Sequence, residues 1–377
     1  MTAISAKVSA SDERAADEAV AQARFVSDTA SLGKLLEQLD DQSVVGIDTE
    51  FVRERTYFPL PGLIQVSDGS GVFLLDPVAM EKMPDLGALL ADPSTTKVLH
   101  SVGEDLEVFR IVAGAVPRPL FDTQIAAAML GFPLQTRYES LVGDVLGLEL
   151  AGGKARSNWL KRPLSADLLR YAGQDVIWLP LLHNILAEAL DRRGRLDWLL
   201  EDCARLVQNA EHDNGEPAVT RVKGAGRLSD EQLAVLSCLA EWRDRQAQTR
   251  DLPRGFVIRD DALIGLAVAR TRDQLNQNVR ALPQPVQRRY ADRLVELIED
   301  VDGTDFERPA ALVALDHEQR DAVKQAQAQV AEIAAELEVE PALLASRRDL
   351  SRLARGESPD WMAGWRGQLL ADLALLR

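Results

Sequence analysis

Three short stretches of the chain carry acidic side chains at spacings that chemistry can use. In Val44-Val45-Gly46-Ile47-Asp48-Thr49-Glu50-Phe51 the apolar, β-branched composition predicts a strand. Alternate side chains of a strand share a face, so Asp48 and Glu50 point one way while Ile47, Thr49 and Phe51 point the other. Two neighbouring carboxylates repel, and a bridging cation offsets that cost; hard oxygen ligands suit Mg²⁺ or Mn²⁺. A solvated strand end is written in the same letters. The second stretch, His100-Ser101-Val102-Gly103-Glu104-Asp105-Leu106-Glu107, lies where a short strand gives way to helical spacing. Acidic residues in a helix's first turn complement its dipole, and the pattern leaves Glu104, Asp105 and Glu107 as alternatives. The third is Tyr171-Ala172-Gly173-Gln174-Asp175-Val176, in which Tyr171 and Asp175 stand one helical turn apart on one face.

The elements that must position these residues follow from periodicity and breakers. Strands are predicted at Val44 to Phe51, Leu63 to Ser67 and Val72 to Asp76, separated by Pro61-Gly62 and Asp68-Gly69-Ser70-Gly71, an antiparallel meander. A short strand follows at Lys97 to His100, and from Asp105 onward Leu106, Phe109 and Val112 mark helical spacing. Strands first and helices later predict an α/β domain with a mixed sheet flanked by helices over residues 26–215. Residues 1–25, poor in large apolar side chains, read as a mobile tail, and residues 216–227 as a polar, glycine-containing linker. Two all-α units are then expected, at 228–303 and 310–377. Ser229 and Gln232 form a capping pattern ahead of the stripe Leu233, Leu236, Leu239 and Trp242. Val323, Ala326, Val330 and Ile333 repeat that spacing, and the run from Leu343-Leu344 to Leu353 echoes the one from Ala262-Leu263 to Val268. Two copies of one helical fold are the expectation.

Composition bounds the function. The 377 residues exceed a single core, and 46% hydrophobic with 27% charged is ordinary for a soluble globular chain. No apolar run is long enough for a membrane span and the first residues lack a secretory signal, so a cytoplasmic protein without a membrane partner is expected. Cys203 and Cys238 support neither a disulfide framework nor a zinc site, and His100, His183, His212 and His317 have no ligand spacing. A net charge of −16 argues against nucleic acid until its distribution is read: residues 221–300 hold 14 basic against 12 acidic residues. Trp159 and Trp178 read as core, and Asp122 as the cap of the helix containing Gln124 and Ile125. There is no Walker lysine motif.

Taken together, these stretches resemble the DEDD exonucleases of the ribonuclease H-like fold, in the subclass with a tyrosine in the last motif. The likeness runs through Asp48 to Tyr57, Gly62-Leu63-Ile64-Gln65, Gly103-Glu104-Asp105-Leu106, Phe121-Asp122-Thr123-Gln124, Arg162-Pro163-Leu164-Ser165 and Tyr171 to Val176, landmarks of the ribonuclease D family. The intervals of 57 residues from Asp48 to Asp105 and 70 from Asp105 to Asp175 are also similar. That family joins a DEDD domain to two HRDC domains, small helical modules that bind nucleic acid. Arg254 to Asp260 looks like part of the first, and Glu340 to Leu353, more weakly, like part of the second.

The resemblance implies a 3′-5′ exoribonuclease releasing nucleoside 5′-monophosphates, with precursor tRNA or small structured RNA bearing a free 3′ end as substrate. It selects Asp105 among the three alternatives. Asp48, Glu50, Asp105 and Asp175 would hold two divalent ions, Mg²⁺ or Mn²⁺, and Tyr171 would orient the attacking water. Gln65, Arg53, Arg55, Tyr57 and Arg162 are candidates for substrate contact, a solvated loop being the other reading of Arg53, Arg55 and Tyr57. Hydrolysis of DNA, or a binding protein that keeps the scaffold without catalysis, are the competing functions; no ligand of the motif is missing.

Overall fold

The computed structural model describes all residues except 1–3, 5, 213–215, 270, 302–305, 374, 376 and 377, so the expected borders at 215, 303 and 377 fall outside the described residues. Six strands form one mixed sheet: β1 (Arg24–Val26), β2 (Val44–Val52), β3 (Leu60–Ser67), β4 (Val72–Leu75), β5 (Thr96–Leu99) and β6 (Leu120–Asp122), in the order β1-β4-β3-β2-β5-β6. β2, β3 and β4 are the antiparallel meander; β1 pairs with β4, β5 with β2 and β6 with β5 in parallel. Val45, Ile47, Leu63, Ile64, Val66 and Val98 are fully buried, as a sheet covered by helices on both faces requires. The three-residue strands β1 and β6 were too short to show any alternation.

Where it is described, the N-terminal segment is not a tail. Ser9 caps a helix at Ala10–Ala21 by accepting a hydrogen bond from the Asp12 amide, and Ala16 and Val20, four residues apart, enter the main core. Small residues suffice there because the helix lies close to its neighbour: a Cβ on Gly173 would stand 3.1 Å from the Val20 side chain. Nor is 216–227 a free linker. Val219, Val222 and Ala225 are buried in the core of the helical module that follows.

That module holds helices at Asp230–Thr249, Arg254–Val257 and Asp260–Ala267, and the C-terminal unit holds helices at His317–Glu336, Pro341–Leu344 and Arg347–Ala354. Lengths of 20, 4 and 8 residues recur, and each start is displaced by the same 87 residues (230 to 317, 254 to 341, 260 to 347). Both long helices open on a capping box, at Ser229 and at Asp316. The structural register pairs Leu350 with Leu263, correcting the sequence echo, which had set Leu343-Leu344 against Ala262-Leu263. The two units differ in attachment. The first has its own core, whereas Val323, Ala326, Val330 and Leu350 share the core of the sheet. Trp365 stacks on Trp198 with planes 3° apart, and the buried Asp202 accepts hydrogen bonds from the Trp365 indole and from both Arg366 terminal nitrogens. No helix among the described residues is long and apolar enough to cross a membrane.

Candidate active site

The acidic residues meet at one end of β2. Helix Ala166–Ile177, capped by Ser165, and the start of the helix Leu179–Arg192 cross β2 closely enough that a Cβ on Gly46 would lie 2.8 Å from both the Val176 carbonyl oxygen and the Leu179 Cβ. Only glycine permits that approach, and it brings Asp175 over Asp48. Ligand oxygens of Asp48, Glu50 and Asp175 lie within 4.8 Å of one another. They line a cavity of about 350 Å³ with Asp105, Glu139, Tyr138, His100 and Tyr171.

Asp105 arrives by a different route. The Asp122 carboxylate caps helix Thr123–Met129, as expected, and also accepts hydrogen bonds from the Ser101 and Val102 amides at 3.2 and 2.9 Å. This holds the turn from which helix Asp105–Ala113 starts. Asp105 lines the cavity but stands outside the three-carboxylate cluster, because its Oδ1 accepts a hydrogen bond from the Thr49 hydroxyl. The strict face rule had sent Thr49 away from the carboxylates. At the bulge between Glu50 and Phe51 the cavity wraps the strand, and Thr49 and Phe51 both border it.

Burial and mutual repulsion dominate the electrostatics. Burial, then Asp175, Asp105 and Glu50, push the Asp48 carboxyl well above the usual carboxylate range. Glu50 is pushed up to about 9 by burial and then by Asp175 and Asp105. Asp105 is pushed up to about 7 chiefly by burial; Asp175 is also pushed up to about 7 by burial, aided by Glu139 and opposed by the hydrogen bond it accepts from Tyr171. Burial and the same carboxylates raise the Tyr171 phenol. His100 supplies no compensating charge. Burial lowers its pKa; its Nε2 donates to the Thr136 carbonyl at 3.0 Å, and its Nδ1 lies 2.9 Å from the Thr123 hydroxyl. The cavity lining thus has five carboxylates and no lysine or arginine. Such an oxygen-rich anionic set fits divalent cations, which remove the repulsion that otherwise holds protons on the site.

The remaining candidates take other places. Gln65 sits across from Asp48 in the ladder but is fully buried, because β3 is an interior strand under helix Ala166–Ile177; its expected contact with substrate is corrected. Arg162 is a structural tie. It donates two hydrogen bonds to Asp76 and one each to the carbonyls of Gly62 and Trp159, at 2.5 to 2.9 Å. Arg53 pairs with Glu104 and Glu107, on either side of Asp105. The Tyr57 hydroxyl is taken by Arg254 and Gln248 of the first helical module. Arg55 is exposed and makes no hydrogen bond or ion pair among the described residues. Trp159 and Trp178 are core residues, as expected. Glu139, Tyr138 and Thr49 were missed: an acidic residue opening a helix carries no signal beyond the dipole.

Comparison with known proteins agrees with this arrangement. A family described as 3′-5′ exonuclease matches residues 23–191, and one described as HRDC domain matches residues 232–298. Ribonuclease D of Shewanella sp. strain ANA-3 is 35% identical over 360 residues, spanning 93% of this chain and 92% of that protein. The crystal structure of Escherichia coli RNase D, described as an exoribonuclease involved in structured RNA processing, superimposes with a TM-score of 0.84 at 32% identity, over 93% of this chain and 97% of that one. A protein from Bifidobacterium adolescentis shares the fold at a TM-score of 0.64 and 20% identity.

Proposed function

Because the chain belongs to the ribonuclease D family it is a 3′-5′ exonuclease, and we propose that it trims RNA 3′ ends using two divalent ions, Mg²⁺ or Mn²⁺. The observation that carries this reading is the convergence of carboxylates from four separated segments on a cavity without a lysine or arginine. Asp48, Glu50 and Asp175 would hold the ions, with Asp105 completing the set. The chemistry a bound pair supplies is activation of a water and stabilisation of charge on the leaving 3′ oxygen. Thr49 fixes the Asp105 carboxylate, and Glu139 adds negative charge beside Asp175.

Tyr171 has a specific part. A phenol ordinarily keeps its proton at neutral pH, and from its place in the cavity beside Asp175 Tyr171 would orient the attacking water. Tyr171→Phe is expected to lower kcat roughly 10- to 100-fold while KM changes by less than about 2-fold, since only a group near the reacting water is lost. Steady-state kinetics on one RNA checks this; a change confined to KM would remove Tyr171 from the reaction.

The substrate in this reading is precursor tRNA or other small structured RNA, in the cytoplasm; the E. coli relative is described as taking part in structured RNA processing. Arg55, exposed and unpaired, is the remaining candidate of its loop for a backbone phosphate, and the C-terminal unit is a second HRDC-like domain. The test is digestion of 5′-labelled RNA and matched DNA, with free or blocked 3′ ends, in Mg²⁺, Mn²⁺ or EDTA. Stepwise shortening of free-ended RNA, abolished by EDTA and by the block, is expected. Faster shortening of the DNA would reassign the substrate, and cleavage of blocked ends would overturn the polarity.

A further inference from the structure

The loop that follows the catalytic strand is held at both ends. At its start, Arg53 pairs with Glu104 at 3.4 Å and with Glu107, so it reaches the two acidic neighbours of Asp105. At its end the backbone amides of Tyr57 and Phe58 both donate to a single oxygen, Oδ1 of Asp251, at 2.9 and 3.0 Å. Asp251 belongs to the first helical module, some 190 residues away in sequence. The same turn seizes the Tyr57 side chain: Arg254 donates to its hydroxyl at 2.7 Å with the guanidinium 4.7 Å from the ring centroid, and Gln248 donates at 3.0 Å. Between the two anchors lies Arg55.

The backbone of Asp251 is itself unusual. Its φ of +47° is one of four positive values at non-glycine residues among the described residues. A second is Glu338, φ +53°, at the equivalent place in the C-terminal unit, 87 residues on. That turn also seats on the exonuclease domain: Arg195 donates to the Leu337 carbonyl at 2.8 Å, and the Glu338 carbonyl oxygen lies 2.6 Å from where a Cβ on Gly131 would stand. Both copies therefore use this turn as their dock. Only the first turns a carboxylate onto backbone amides beside the active site.

We propose that residues 248–254 of the first helical module are a positioning element for hydrolysis. Through Asp251 they fix the loop of residues 53–58, and with it Arg55 and the setting of Glu50 and Asp105 at its flanks. The module then contributes to turnover even on substrates too short to reach it. This rests on the exonuclease reading for its rate measurements, but not for its structural one.

The test uses the full chain with Asp251→Gly, which keeps the left-handed backbone and deletes the acceptor, and Asp251→Asn, which keeps an acceptor oxygen and tolerates that backbone. On a tetranucleotide RNA, Asp251→Gly is expected to lower kcat roughly 10-fold with KM within about 2-fold, the scale of losing a charge-assisted hydrogen bond, while Asp251→Asn stays within about 2-fold of the parent. Hydrogen exchange at the Tyr57 and Phe58 amides should accelerate in Asp251→Gly alone. Unchanged exchange in Asp251→Gly, or unchanged kcat on the tetranucleotide with KM raised only for long RNA, overturns the proposal, because the module would then act by binding alone. Should Asp251→Gly fail to fold, Tyr57→Phe, which removes the hydroxyl that Arg254 and Gln248 grip, is measured in the same way. Unchanged kcat and exchange in that variant also overturn the proposal. A parent chain inactive on RNA would sink the exonuclease reading and leave the exchange comparison to decide the latch.

Discussion

Asp175→Asn is expected to reduce RNA hydrolysis by at least roughly 10³-fold, about 4 kcal/mol of transition-state stabilisation, while leaving the fold intact. The two halves of that expectation have one cause. Asp175 is one of three carboxylates whose oxygens lie within 4.8 Å, so removing its charge dismantles a cation site and also relieves repulsion. The amide is nearly isosteric and its oxygen still accepts the Tyr171 hydrogen bond. In EDTA the variant should therefore melt no lower than the parent, and the rise in Tm that Mg²⁺ gives the parent should be lost or much reduced. Parental turnover in this variant would refute the site.

The second large effect is the pH dependence of the metal-free chain. Asp105 and Asp175 sit near 7 and Glu50 near 9 in the folded state, above their ordinary values of 3.8 and 4.5, so the folded chain binds more protons than the unfolded one between those limits. The contribution of these groups to stability is complete below about pH 4 and is lost as pH rises through 7 and on toward 9. Each such group lowers stability by up to about 1.4 kcal/mol per pH unit while it is protonated folded and ionised unfolded. In EDTA, Tm should fall from pH 5 to pH 9. Saturating Mg²⁺ should flatten that fall, and titration calorimetry should show Mg²⁺ binding tighten as pH rises, with protons released. A metal-free Tm that climbs across this range would mean that the carboxylates are already ionised and solvated.

How much of this was legible in the sequence depends on the range over which each feature acts. β2 announces itself because its apolar run and the acidic pair Asp48 and Glu50 are local, and the meander because Pro61-Gly62 and Asp68 to Gly71 break it. The gathering of Asp175 onto Asp48 depends on a helix crossing at Gly46, a contact between residues with no local relation, and was reached only through family likeness. The helix at Ala10–Ala21 was lost because Ala16 and Val20 are small, yet close packing makes small residues sufficient. Gln65 and Arg162 were assigned outward roles on motif position, whereas burial and the Asp76 pair turn both inward. Tyr57 looks like any exposed loop aromatic until the distant turn that grips it is brought alongside.

The unequal attachment of the two helical units decides which parts of the polypeptide can be exchanged. The segment from Val219 to Leu297 closes an apolar interior of its own, so evolution or an engineer could replace it as a cassette if the grip on Tyr57 were preserved. The terminal unit offers no such freedom. Cutting the chain before His317 would strip Trp365 from Trp198 and leave the buried Asp202 carboxylate with Arg205 but without the indole and Arg366, so a minimal nuclease must retain the terminal unit.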